Sequence, residues 1–264
     1  MKGMHRQQPW RAALLDLDGT LYRGDSAIPG APEFVHRLRK RSIQPIFFTN
    51  NATRTPSQVV DRLRMMGIAA EAAEVCTSAQ AAAIHIRERH GEIGVGFIGE
   101  IGLQTALREA GLQAYSPRDE GFHVGLLVAV MGLDRQVTYR ELAEFCRLVD
   151  QLGQFILTNA DMQVPIDEGF IPGNGALGSF VAAATGANFY VAGKPNPSFV
   201  SFALHRYGVA PNEVLLIGDN PSTDLAAGRQ AGVYTIQVLT GEATASATKW
   251  SQADEVWDSV ASLF

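Results

Sequence analysis

The chain has 264 residues, 46% of them hydrophobic, and a formal net charge of −5. This length and apolar content predict one large or two smaller domains with a sizeable core, and they argue against a disordered chain. The negative charge gives no electrostatic reason to bind nucleic acid or an anionic membrane, and residues 1–10 lack the apolar stretch of a secretory signal, so we expect a cytoplasmic protein.

Strands and helices are predicted to alternate in the first third of the chain. Short apolar runs predict buried strands at residues 14–15 and 45–48. Proline and capping residues predict helices over residues 32–41, 56–67 and 78–89. The residues between the first strand and the first helix, which include a short segment over 21–28, are expected to form a loop.

The middle of the chain predicts a second set of strands and helices. Strands are expected at residues 95–98, 124–130 and 155–157, and helices at 103–110, 139–152 and 179–185. The longest apolar stretch, residues 124–133, is about half a membrane span and is interpreted as a buried strand. We expect an α/β cap domain at residues 86–187, inserted in a loop of a core formed by residues 1–85 and 188–264.

Two further apolar runs lie in the last third. Residues 189–192 precede Gly193-Lys194-Pro195, and residues 215–217 precede Gly218 and Asp219. Strands this apolar are typical of a parallel sheet covered by helices on both faces. Open α/β folds bind ligands at the carboxyl ends of such strands. We therefore expect all four strands, those at 14–15, 45–48, 189–192 and 215–217, to end at one edge of one sheet.

Carboxylates dominate these strand ends. Asp16 and Asp18 follow the first strand, and Asp219 and Asp224 follow the last. Several carboxylates close together are unfavourable unless a cation neutralises them, and an all-oxygen cluster suits Mg²⁺. Asp16 and Asp18 are two residues apart, so on an extended strand both point the same way, and one can attack as a nucleophile while the other transfers a proton.

An anion site is predicted beside the carboxylates. The hydroxyl of Thr49 with neighbouring backbone amides, and the charge of Lys194, can hold an anion between them. A cation, an anion pocket and a spare carboxylate together predict phosphoryl transfer. The six histidines form no pair at metal-ligand spacing, which argues against zinc.

The four motifs resemble those of the haloacid dehalogenase superfamily of phosphatases. Their order is Asp-x-Asp-Gly-Thr, Thr-Asn-Asn, Gly-Lys-Pro-x-Pro and Gly-Asp-Asn-x-x-x-Asp, between Leu14 and Gly241. Residues 158–161, residues 172–176 and the Thr240-Gly241 pair resemble the branch of 4-nitrophenylphosphatase-like and nucleotide- or sugar-phosphate phosphatases. The resemblance implies a doubly wound, Rossmann-like parallel-sheet core with an inserted α/β cap.

The resemblance also implies a role for each carboxylate. Asp16 would be the nucleophile that forms an aspartyl-phosphate, and Asp18 would act as general acid and then as general base. Asp16, Asp219 and the backbone carbonyl of Asp18 would ligate Mg²⁺. Asp224 would orient metal-bound water or Lys194, although an acid at a helix N-terminus is an equally good interpretation of Asp224.

The remaining predicted site residues are polar. Those expected to bind phosphate are Thr49, Asn50, Asn51, Lys194 and Asn220, and those expected to read the substrate from the cap are Thr158, Asn159 and Asp161. Two simpler interpretations stay open. Asn51 also suits a capped turn, and residues 158–161 could merely end the preceding strand.

These observations predict Mg²⁺-dependent hydrolysis of small phosphomonoesters. A phosphotransferase or mutase with the same aspartyl-phosphate is the first alternative, and a non-catalytic nucleotide-binding module is the second. The second would use the glycines of residues 94–99, which match a dinucleotide fingerprint but interrupt an apolar run instead of following it.

Cys76 and Cys146 are expected to be free thiols in a reducing compartment, with a disulfide left open. A homo-oligomer formed through the cap is also left open.

Overall fold

A computed structural model describes residues 10–122, 124–166, 168–241 and 252–263. The chain divides into two compact units. Unit 1 holds the described residues within Met1–Phe48, Leu63–Ala70 and Val200–Phe264, and unit 2 holds those within Thr49–Arg62 and Glu71–Phe199. Among the described residues, no helix has the length and apolar character needed to span a bilayer.

The strands, in chain order, are β1 (Ala12–Leu15), β2 (Tyr22–Arg23), β3 (Ser26–Ala27), β4 (Gln44–Thr49), β5 (Val75–Thr77), β6 (Gly94–Ile98), β7 (Gln113–Tyr115), β8 (Leu126–Met131), β9 (Gln154–Leu157), β10 (Gln163–Ile166), β11 (Gly169–Pro172), β12 (Asn188–Val191), β13 (Val214–Gly218), β14 (Tyr234–Val238) and β15 (Glu255–Trp257).

The α-helices are α1 (Ala31–Lys40), α2 (Pro56–Met65), α3 (Ser78–His90), α4 (Ile101–Glu109), α5 (Tyr139–Leu152), α6 (Asn174–Thr185), α7 (Pro197–Tyr207) and α8 (Ala226–Gln230). Short 3₁₀ helices cover Ala72–Glu74, Pro211–Glu213 and Val260–Leu263, and Pro221–Leu225 forms one π-helical segment.

The sheet of unit 1 places the two aspartate-bearing strands side by side. Strands β15, β14, β13, β1 and β4 are parallel neighbours in that order. Every residue of β1 and β13 is buried, as expected for strands covered on both faces. Leu15 lies opposite Ile217, so the chain leaves both strands at the same level. Asp16 and Asp219 follow within two residues of that register position.

Unit 2 contains a second parallel sheet, with strand order β12-β9-β8-β6-β7. Its strands alternate between two apolar clusters, because successive side chains point to opposite faces. Phe97 and Ile156 belong to a cluster that includes alanines of α3 and leucines of α4. Ile98 and Phe155 belong to the other, which includes Phe145 of α5. Parallel sheets covered by helices confirm the predicted α/β class.

One predicted strand lies in a different sheet. We expected residues 189–192 to share a sheet with the Asp16 strand, and this is wrong: β12 pairs with β9 in the second sheet. Phe189 is 40% exposed, as befits an edge strand. The apolar run identified the strand correctly but carried no information on its pairing partner. The loop that bears Lys194 therefore leaves the second sheet.

Several boundaries also differ from the prediction. Helix α6 begins at Asn174, five residues before the expected 179, because Gly173 serves as its N-cap instead of breaking it. The hairpin β10–β11 was not predicted, and the expected loop over 21–28 contains the short hairpin β2–β3. Helix α3 begins as expected, since Thr77 and Gln80 form a reciprocal capping box.

Both cysteines are free, as predicted. Cys76 is buried in β5, and burial raises the pKa of the Cys146 thiol. A thiol with a raised pKa is a poor nucleophile at neutral pH, so Cys146 does not compete with the aspartates as a candidate for covalent chemistry.

Candidate active site

Three carboxylates of unit 1 form a compact cluster. Oxygens of Asp16, Asp219 and Asp224 all lie within 4.8 Å of one another. Their residues are 8%, 6% and 1% exposed, respectively. The backbone amide of Asp16 donates to the carbonyl of Ile217 at 2.9 Å, which extends the pairing of the two strands to the first aspartate. The parallel register of β1 and β13 thus builds the cluster.

This cluster fits a small divalent cation. Three buried like charges repel one another, and a bound cation removes both the repulsion and part of the desolvation cost. Carboxylate oxygens are the ligands that Mg²⁺ and Ca²⁺ prefer, and Mg²⁺ commonly binds to one or two carboxylates with water and substrate oxygens completing its shell. Neither histidine nor cysteine belongs to the cluster, which disfavours zinc.

Two glycines leave the space that Asp219 needs. Gly19 has φ +82°, and a Cβ placed there would lie 2.7 Å from the carboxyl carbon of Asp219. A Cβ on Gly241 would overlap the same carboxylate. The hydroxyl of Thr240 donates to the carbonyl of Gly19 at 2.6 Å. The Thr240-Gly241 pair therefore packs against the loop after β1. The Asp219 carboxylate leaves no room for a residue larger than glycine at position 19 or 241.

Arg23 reinforces this loop from the β2–β3 hairpin. Its guanidinium donates to the carbonyls of Thr240 and Gly241, at 2.5 and 3.0 Å. Asp18, in contrast to its neighbour Asp16, is exposed. One carboxylate of the pair is thus sequestered, and the other is accessible to solvent.

The π-helical segment after β13 positions Asp224. Its carboxylate accepts the backbone N–H of Asn220 at 3.2 Å, and its own N–H donates to the Asn220 carbonyl at 3.0 Å. A Cβ on Gly218 would overlap the Asp224 carboxyl group. The Asn220 side chain caps the segment, with Oδ1 accepting from the amide and the hydroxyl of Ser222. That oxygen is therefore occupied by the turn.

In unit 2, one carboxamide holds the backbone of Lys194. Asn50 Oδ1 accepts the Lys194 N–H at 2.8 Å, and Asn50 Nδ2 donates to the Lys194 carbonyl at 3.1 Å. Lys194 is 3% exposed. A Cβ on Gly193 would lie 2.5 Å from both Asn50 Oδ1 and the Thr158 carbonyl. Glycine at 193 is what allows this close approach.

Asn50 also contacts the loop of residues 158–161. Its Nδ2 lies 3.4 and 3.5 Å from the two carboxylate oxygens of Asp161. Its carbonyl accepts from Asn159 Nδ2 at 2.9 Å and from the Ser78 hydroxyl at 2.7 Å. The Asn159 Oδ1 atom accepts the Asp161 N–H at 3.2 Å. The side chain of Asn159 thus ties the loop to Asn50. Asp161 is half-buried and therefore more exposed to solvent than Asn159.

Residues at the start of α6 bond to the loop of residues 158–161. The buried Asn174 Nδ2 donates to the Asn159 carbonyl at 2.8 Å and to the Met131 carbonyl at 3.2 Å, and it lies 3.4 Å from the Thr158 hydroxyl. Gly175 N–H donates to the Asp161 carbonyl at 2.9 Å. Neither Asn174 nor Ser78 was among the predicted site residues. The Pro-Gly-Asn-Gly-Ala motif was the available signal for Asn174.

Thr49 and Asn51 form a tight turn at the end of β4. The Thr49 hydroxyl accepts the Asn51 N–H at 3.1 Å. Asn51 Oδ1 accepts from the amide and the hydroxyl of Thr53, at 2.8 and 2.7 Å. The oxygen of the Asn51 side chain therefore serves the turn, which is the simpler of its two interpretations.

The dinucleotide fingerprint at residues 94–99 is absent as a structural motif. Gly94 and Gly96 lie inside β6, whereas the fingerprint requires glycines in the turn after a strand. A Cβ on Gly96 would overlap Leu148 of α5. These glycines let a helix pack closely on the sheet.

Family models described as haloacid dehalogenase-like hydrolases match residues 13–113 and 191–263. An acid sugar phosphatase of Staphylococcus epidermidis is 43% identical over 235 residues, covering 89% of this chain and 88% of that protein.

Solved structures of phosphatases are also similar to this chain. The thermostable NPPase of Geobacillus stearothermophilus has a TM-score of 0.87 and 35% identity, covering 97% of this chain and 98% of its own. A glycerol phosphate phosphatase of Mycobacterium tuberculosis in complex with magnesium has a TM-score of 0.90 and 27% identity, covering 98% and 78%. The carboxylate cluster, the order of the motifs and these likenesses agree, and the chain belongs to the haloacid dehalogenase-like hydrolases, as a phosphatase acting on phosphomonoesters.

Proposed function

We propose that this phosphatase hydrolyses small phosphomonoesters of sugars and related polyols, with Mg²⁺, through an aspartyl-phosphate on Asp16. The observation that carries the proposal is the buried cluster of Asp16, Asp219 and Asp224. The substrate class is supported by the names of similar proteins, which are an acid sugar phosphatase and a glycerol phosphate phosphatase.

The two aspartates of the first motif have different environments that suit different tasks. Asp16 is buried beside two other carboxylates, so it suits a nucleophile held at a fixed position. Asp18 is exposed, so it can exchange protons with a leaving alcohol and with incoming water. In this proposal Asp18 protonates the leaving oxygen and then takes a proton from the water that hydrolyses the phosphorylated Asp16.

Asp16, Asp219 and the backbone carbonyl of Asp18 would hold Mg²⁺, and Asp224 would orient its shell. When bound, the cation supplies positive charge to the phosphoryl oxygens. The structures of the glycerol phosphate phosphatase with magnesium and with calcium support a divalent ion in this family. Asp224 is tied to the backbone of Asn220, which suits an orienting role.

Residues of unit 2 are proposed to bind phosphoryl oxygens of the substrate. The Thr49 hydroxyl, the backbone amide of Asn50 and the charge of Lys194 would bind these oxygens. In unit 1, the side-chain amide of Asn220 would be a further donor, since its backbone N–H donates to Asp224. Lys194 is buried, which strengthens its interaction with an anion. Its backbone is fixed by Asn50, which supports a precise position for the ammonium group.

The predicted cap, residues 86–187, would select the substrate through residues 158–161. Thr158 is fully buried and Asn159 nearly so, and the side chains of both lie in the hydrogen-bond network described above. Of these residues, Asp161 is the best placed to accept hydrogen bonds from the hydroxyl groups of a leaving sugar.

The free thiols of Cys76 and Cys146 support a cytoplasmic location. A homo-oligomer formed through the cap stays a prediction.

The direct test is a phosphate-release screen over sugar phosphates, glycerol phosphate, nucleotides and pyridoxal phosphate, with Mg²⁺ present. The expected result is inorganic phosphate from at least one sugar or polyol phosphate, at a higher kcat/KM than from nucleotides. Transfer of the phosphoryl group back to substrate without phosphate release would identify a mutase instead. Turnover restricted to nucleotides would contradict the proposed substrate class.

Asp16→Asn is expected to abolish turnover without loss of stability. The substitution keeps the shape of the side chain, removes the nucleophilic charge and relieves repulsion within the carboxylate cluster, so the melting temperature should hold or rise. Phosphate release and thermal unfolding measure the two effects. Asp150→Asn, at an exposed site on α5, is the control and should change neither. Activity well above background in Asp16→Asn would rule out the covalent mechanism.

Asp161→Ala is expected to change selectivity without a general loss of activity. Relative kcat/KM among sugar phosphates should shift by about 1–3 kcal/mol, while hydrolysis of 4-nitrophenyl phosphate is nearly unaffected. Asn159→Ala should shift selectivity similarly and also reduce stability by about 1–3 kcal/mol, because the Asn50 carbonyl and the Asp161 amide lose a partner. A uniform loss on every substrate would argue against a specificity role.

A further inference from the structure

The side chain of Asn50 uses all three of its main hydrogen-bonding positions within unit 2. A carboxamide has an acceptor oxygen and two N–H donors. The oxygen accepts the Lys194 N–H, one donor direction meets the Lys194 carbonyl, and the other faces the carboxylate of Asp161. The contact to Asp161 is long, at 3.4 Å, but it joins an N–H to a charged acceptor.

Two functional groups therefore share one support. The position of the Lys194 ammonium depends on the position of the Lys194 backbone. The Asn50 side chain bonds to both the N–H and the carbonyl of that backbone. The orientation of the Asp161 carboxylate depends in part on the same amide. The Asn50 carbonyl accepts from Asn159 and Ser78, which holds Asn50 itself in place. A change of the Asn50 side chain is therefore expected to affect both Lys194 and Asp161.

We propose that Asn50 is a positioning residue that couples substrate selection by Asp161 to charge stabilisation by Lys194. This inference rests on the proposed function, which assigns those two roles. It adds a task for the Asn50 side chain, distinct from the phosphate contact expected of its backbone amide. A substrate that binds Asp161 fixes the orientation of the Asn50 carboxamide, which also holds Lys194. Recognition of the leaving group therefore raises kcat as well as affinity.

The chain supplies a matched control in the same loop. Asn196 is also a partly buried carboxamide that bonds to backbone, with Nδ2 donating to the Val191 carbonyl at 2.7 Å and Oδ1 accepting the Ser198 N–H at 2.9 Å. Neither bond involves Lys194 or Asp161. Asn196→Ala should lower the melting temperature while leaving kcat and substrate selectivity unchanged.

The experiment measures kcat, KM and melting temperature for the wild type, Asn50→Ala, Asp161→Ala, the double variant and Asn196→Ala. The substrates are 4-nitrophenyl phosphate and the best sugar phosphate from the screen, and the selectivity ratio is kcat/KM for the sugar phosphate divided by that for 4-nitrophenyl phosphate. Asn50→Ala should lower kcat for 4-nitrophenyl phosphate about 10- to 100-fold, because Lys194 is displaced.

The selectivity ratio decides the coupling. Asn50→Ala should bring the ratio down to that of Asp161→Ala, and the double variant should lower it no further, because the two residues act as one unit. A wild-type ratio in Asn50→Ala, or ratio changes that simply multiply in the double variant, would overturn the inference. If Asn50→Ala does not fold, Asn50→Asp keeps the shape and the acceptor for the Lys194 N–H but loses the donors to the Lys194 carbonyl and to Asp161, and it should show the same fall in ratio.

Lys194→Ala separates this inference from the function on which it rests. Wild-type turnover in Lys194→Ala would contradict the proposed catalytic role of the lysine itself. Loss of turnover in Lys194→Ala, together with an Asn50→Ala variant that behaves like Asn196→Ala, would leave the proposed function standing and remove only the coupling role of Asn50.

Discussion

Repulsion among three buried carboxylates is the constraint on which the acidic site of unit 1 depends. Asp16, Asp219 and Asp224 have oxygens within 4.8 Å of one another in a largely buried setting. Such a group is costly to bury without a cation. The backbone around it is arranged to make room for it, since glycines stand at 19, 218 and 241, where a Cβ would collide with a carboxyl group. The fold therefore accepts an unfavourable charge arrangement, which the proposed cation would relieve.

The polar residues of unit 2 follow a different principle. Asn50, Asn159 and Asn174 bond mainly to backbone groups, with one long contact to a carboxylate. Carboxamides that bond to several backbone groups rigidify a loop, and losing one leaves those groups without partners. The backbone of Lys194 and the loop of residues 158–161 are thus held by the carboxamides of Asn50, Asn159 and Asn174.

The sequence was a good guide to the acidic site because each aspartate pair directly follows a buried apolar run. Parallel strands of that kind end at a common edge, so Asp16 and Asp219 could be predicted as neighbours without coordinates. The pairing of β12 could not, because an apolar run does not specify its partner strand. Asn50 and Lys194 are 144 residues apart, and Asn174 and Met131 are 43 apart. Contacts of such separation leave no local pattern, so the supporting roles of these amides required the structure.

In the proposed function, the buried carboxylates hold one divalent cation. Calorimetric titration of Mg²⁺ into the substrate-free protein tests it most directly, with Asp219→Asn as the variant and Asp150→Asn as the control. The account predicts one Mg²⁺ per chain for the wild type and the control, and affinity reduced at least about tenfold in Asp219→Asn, because a carboxylate ligand has been replaced by a neutral amide. Equal Mg²⁺ affinity in Asp219→Asn and the wild type, or no Mg²⁺ binding by a wild type that remains fully active in excess chelator, would contradict it.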